Sequence, residues 1–119
     1  MMSEYAEVRI RWFSSSESGR TTPIHLCAEG TKAYKPHFRV NSDGEYLGVA
    51  FVSGNPAIAH PGSDCEATVA LIYTDTGVDY GSLTPHAEFD VLEGARVIGR
   101  GLIVRRWSEE NDWRQRSAS

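Results

Sequence analysis

Over much of this chain apolar and polar residues alternate one by one, the pattern of a strand with one face buried and the other in water. From Glu7 to Phe13, Val8, Ile10 and Trp12 fall on one side and Glu7, Arg9 and Arg11 on the other. From Asp64 to Tyr73, Cys65, Ala67, Val69, Leu71 and Tyr73 oppose Asp64, Glu66 and Thr68. From His86 to Val91, Ala87, Phe89 and Val91 oppose His86, Glu88 and Asp90. The shorter run Pro36 to Val40 sets Phe38 and Val40 against His37 and Arg39. Each predicts a half-buried antiparallel strand.

Two more runs are apolar on both sides. Glu45 to Val52 carries Leu47, Val49 and Phe51 on one side, with Tyr46, Ala50 and Val52 on the other. Arg96 to Arg106 carries Val97 and Ile103 against Ile98, Leu102 and Val104, with Gly99 and Gly101 suited to a corner or a close backbone approach. Such strands need cover on both faces, from the chain itself or from a partner.

Asn41-Ser42-Asp43-Gly44 and Glu93-Gly94-Ala95 read as tight hairpin turns. Ser14 to Ala33 reads as a long irregular loop, a kind of segment that often carries function. After Trp107 the alternation stops. Residues 108–119 are polar, read as a tail or as a short helix capped by Ser108 and docked by Trp113. Six strands and no clear internal helix predict an all-β, six-stranded antiparallel closed barrel over residues 1–107, since closure removes exposed edges.

With 119 residues the chain supports one domain with a true core, and 40% hydrophobic content excludes a mostly disordered protein. The formal net charge of −4 repels nucleic acid, so RNA contact needs a local basic surface and DNA is not expected as a partner. Cys27 and Cys65 lie far apart and read as reduced thiols. With neither a leader-like N-terminus nor a stretch of roughly 20 apolar residues, the expectation is a cytoplasmic protein without membrane contact.

Catalytic signatures are missing from the sequence. There is no phosphate loop, and Gly99-Arg100-Gly101 lacks the third glycine of a dinucleotide fingerprint. His25, His37, His60 and His86 stand singly, without zinc-site spacing, and no serine sits in a nucleophile elbow. The expectation is a binding protein, with no enzyme activity, cofactor, metal or catalytic residue.

Taken in order, Glu7-Val8, Gly19-Arg20-Thr21-Thr22-Pro23, Tyr34-Lys35-Pro36-His37-Phe38, Pro61-Gly62, Phe89-Asp90-Val91-Leu92-Glu93-Gly94 and Val97-Ile98-Gly99-Arg100-Gly101 resemble the third, C-terminal domain of translation elongation factor Tu. The resemblance covers roughly residues 6 to 106 and implies a Greek-key barrel that is non-catalytic. In that family the domain helps hold the T-stem of aminoacyl-tRNA and contacts the GTPase domain and the nucleotide-exchange factor. The GTPase domain has no counterpart here, so GTP is not expected as a ligand. Carried over, the T-stem surface falls on Arg20, Thr21, His37, Glu93 and Gly94.

Three functions follow as expectations. The first is a protein-interaction adaptor, for another protein or for itself, through Arg96, Ile98, Arg100, Leu102 and Val104, where an apolar strip is rimmed by arginine. The second is binding of tRNA or structured RNA through the T-stem-like residues, where arginine clamps phosphate and glycine admits a close backbone. The third is a small-molecule or metal site at a barrel mouth near His60, His86 and Tyr80.

Overall fold

A computed structural model describes residues 2–17, 19–27 and 32–116, with the side chains of 115 and 116 excepted. Among these residues the chain forms eight strands: β1 Met2–Trp12, β2 Ile24–His25, β3 His37–Arg39, β4 Leu47–Asn55, β5 Ile58–Ala59, β6 Asp64–Leu71, β7 Glu88–Glu93 and β8 Arg96–Glu110. A single α-helical turn, α1 Trp113–Arg116, follows. Six of the strands form one antiparallel sheet in the order β1-β6-β4-β3-β7-β8, and β8 pairs back onto β1, so the hydrogen bonding closes in a ring. β2 and β5 pair separately.

The alternating residues face as their spacing predicts, except Tyr73, which the alternation puts inward but which lies past the end of β6 and is 44% exposed. Val8, Ile10, Phe38, Phe51, Phe89 and Val91 fill the interior, where Phe38 and Phe89 stack with centroids 4.0 Å apart. Near Trp12 the long loop turns inward: Ile24 and Leu26 join the core, and Leu26 packs against the bare backbone of Gly54. At the other end Tyr80 and Leu83 close the ring, and the Tyr80 hydroxyl donates to the Gly48 carbonyl at 2.6 Å. The β7–β8 turn is built on Gly94 at φ 61°, the left-handed value that the first residue of a type II′ hairpin turn requires.

Several boundaries differ from the sequence expectation. β1 begins at Met2 rather than Glu7, and β8 continues to Glu110, because Met2, Ser3 and Glu4 pair with Glu110, Glu109 and Ser108. Residues 108–110 are therefore strand, not tail. Ser108 caps no helix; it is Asp112 that accepts a hydrogen bond from the Arg114 backbone N–H. The ladder of β7 starts at Glu88, while His86 stands at φ 72°.

The outer apolar face of β4 is covered by the chain itself. Ala50 and Val52 form a second buried cluster with Tyr5, Ala70 and Trp113, and Trp107 stacks on Tyr5 at 5.5 Å. The Ser3 and Tyr5 hydroxyls both donate to Asn111, at 2.7 and 2.5 Å, and fix the segment that carries Trp113.

Candidate interaction surface

The expected strip on β8 does not lie on one face. The register between β7 and β8 shifts between Val91 and Leu92, leaving Ile98 opposite no residue, and a bulge of this kind re-aims a side chain. Ile98 is 1% exposed and belongs to the core. Val104 sits at a second shift, where Glu7 pairs with Arg105 and Val8 with Ile103, and it is half-buried. Arg96 opens the strand and donates to the Gly19 carbonyl. Only Arg100 and Leu102 of the five share an open outward face.

That face is wider than β8. Register places Arg11 beside Arg100, Asp64 beside Arg11, Asp90 beside Arg100, and Arg39 beside Asp90. One row across five strands therefore reads Asp64, Arg11, Arg100, Asp90, Arg39. The next row reads Glu66, Arg9, Leu102, Glu88. An open groove of about 700 Å³, with Asn55 also in its lining, runs over the β6, β1 and β8 members of these rows and over Glu88; Asp90 and Arg39 lie outside it. Sequence reading missed its acidic and β1 members, although Arg9, Arg11, Asp64, Glu66 and Glu88 all occupy the polar positions of their alternations.

The groove's charges are loosely tied. Arg9 lies 3.6 Å from Glu66 and Arg100 lies 3.4 Å from Asp90, with both arginines more than half exposed. Arg11 is held more firmly: it donates to both oxygens of Glu17, at 3.2 and 2.6 Å. That bond, with further donation from Ser14, lowers the Glu17 carboxyl to about 2. Arg11 and Arg100 stand side by side, a pairing that costs stability in isolation.

The T-stem-like residues gather at the β7–β8 turn. Arg20 is hydrogen-bonded to Glu93 and lies over the Tyr34 ring, 5.8 Å from its centroid, and the Tyr34 hydroxyl donates to the same Glu93 oxygen at 2.5 Å. Burial, then Glu93, pushes the Tyr34 hydroxyl's pKa far up, which keeps it a neutral donor. Thr21 and Gly94 are exposed nearby in the chain. His37 pairs with Leu92, one position from Glu93, and its ring rests 5.7 Å from Tyr46. Arg20 thus spends its charge on Glu93 within the molecule.

The third expected site is not assembled. The Tyr80 carbonyl accepts from Arg106, which pairs with Ala6, whereas the turn from His60 to Ser63 hydrogen-bonds to Trp12. Six residues of β1 separate these points, roughly 20 Å at the usual rise. Among the described residues no group of three His, Cys, Asp or Glu side chains is placed to hold a metal. No helix among them is long and apolar enough to cross a membrane. In comparisons with known proteins, no family and no curated sequence matches the chain.

Proposed function

We propose that this chain is a non-catalytic binding module of the elongation factor Tu third-domain type, working through protein contact at the outer face of β1, β8 and β7. The strand order supports the Greek-key part of this reading: β3, β4 and β6 are successive neighbours, and β1 lies beside β6. The observation that carries the function is the groove itself. An outward Leu102, two adjacent arginines and a flanking carboxylate on each side combine an apolar centre with a charged rim, the make-up of a recognition patch. RNA binding has less support, because the arginine assigned to phosphate is already paired with Glu93.

The test is photo-cross-linking in cells with Leu102→benzoylphenylalanine, compared with the same label at exposed Thr76 in the turn that follows β6. A discrete protein adduct at position 102, abolished by Arg100→Glu and unchanged by nuclease, is expected. No adduct above the position-76 control, or one that nuclease removes, refutes the proposal.

A further inference from the structure

Resting on that reading of the groove, we infer that its partner is a second copy of this chain, docked face to face about a twofold axis parallel to β8. The argument is the order of charges across the sheet. On the outer face the strands run β6, β1, β8, β7, β3. A twofold along β8 lays β1 of one copy over β7 of the other. Arg9 then meets Glu88 of the second copy, while Arg11, which exchanges Glu17 for the contact, faces Asp90, already shared by Arg39 and Arg100. By symmetry each contact occurs twice, as an isologous interface demands. Leu102 lies on the axis and meets its own copy, giving the patch an apolar centre.

The like-charge contact that this axis creates, Arg100 against Arg100, is eased because each Arg100 has Asp90 at 3.4 Å. Other axes fare worse. Turned about β1, Arg9 meets Arg9 and Arg11 meets Arg11. Turned about a line across the strands between the two rows, Asp64 meets Glu66 and Arg11 meets Arg9. Of these three axes the β8 axis alone brings opposite charges together in both rows. Because Arg9 and Glu88 are solvent-exposed, the attraction between them is screened by salt.

Sedimentation velocity of the purified chain tests this. The wild type is expected to reach twice 13.2 kDa at low salt with rising concentration, and to dissociate as salt is added. Arg9→Glu and Glu88→Lys reverse one charge each at exposed positions, and each variant alone is expected to self-associate at least tenfold more weakly. In the mixed dimer both charge pairs are attractive, one native and one with its signs exchanged, whereas each variant alone sets like charges against each other at both, so the mixture associates more strongly than either alone. A wild type that stays monomeric, variants that dimerise like the wild type, or a mixture no stronger than its components overturns the inference. A monomeric wild type that still yields a foreign protein adduct at position 102 removes the self-docking alone and leaves the binding-module reading standing.

Discussion

Trp113→Ala probes whether the segment after β8 belongs to the folded unit. Trp113 is 5% exposed and covers Tyr5, Ala50, Val52 and Ala70 on the outside of the ring. A buried tryptophan removes about 150–250 Å² from water. At about 25 cal/mol per Å² that is roughly 4–6 kcal/mol, an upper value because the unfolded chain already hides part of its surface. A four-residue helical turn has little stability of its own, so without its anchor it releases and limits the loss to the undocking free energy. The expected cost is about 3 kcal/mol, or on the order of 10 °C in Tm. Urea unfolding followed by circular dichroism gives the first number. Hydrogen exchange gives a second readout, with faster exchange expected at Met2–Glu4 and Ser108–Glu110, the ladder that Asn111 ties down. A change under about 0.5 kcal/mol, the range of an ordinary surface substitution, refutes the docking argument.

Three other outcomes are expected. Gly101→Ala places a Cβ 2.7 Å from the Arg9 carbonyl oxygen and 2.4 Å from the Phe89 ring, so β1 and β8 must part, with a loss of about 1–3 kcal/mol in denaturant unfolding; a neutral variant contradicts the close packing. The Glu17 carboxyl stays ionised as pH falls until about 2, and Arg11→Ala returns its titration toward the ordinary carboxylate range; NMR titration of Glu17 reads both, and a wild-type midpoint near 4 disproves the pairing. Burial raises the Cys65 thiol pKa while Cys27 is exposed, so a thiol reagent near pH 8 is expected to label Cys27 quickly and Cys65 only at the rate of opening; equal rates rule this out.

Alternation was enough to place the interior of the ring, since Val8, Ile10, Phe38, Phe89 and Val91 all face where a period of two puts them. It failed where a strand is covered on both sides or where the ladder slips. Tyr5 and Ala6 are both buried, one under Trp107 and one in the core, so the first half of β1 shows no clean period. Ser108, Glu109 and Glu110 look like tail because they are polar; they are strand because Met2–Glu4 pair with them. The bulge at Ile98 has no signature in side-chain chemistry, and it turned a candidate surface residue into core. The groove was half legible: Arg100 and Leu102 read correctly as outward, but their acidic neighbours come from pairings between strands distant in the sequence.

Ring closure also sets the order in which this polypeptide can mature. β1 leaves the ribosome first, yet its two neighbours arrive much later, and Glu7 waits for Arg105, 98 positions downstream. At about 5–20 residues per second, that wait lasts several seconds, with Val8, Ile10 and Trp12 unsheltered meanwhile. Long-range pairing of this kind also slows folding itself. Nascent chains stalled before β8 are therefore expected to be the species that chaperones recognise.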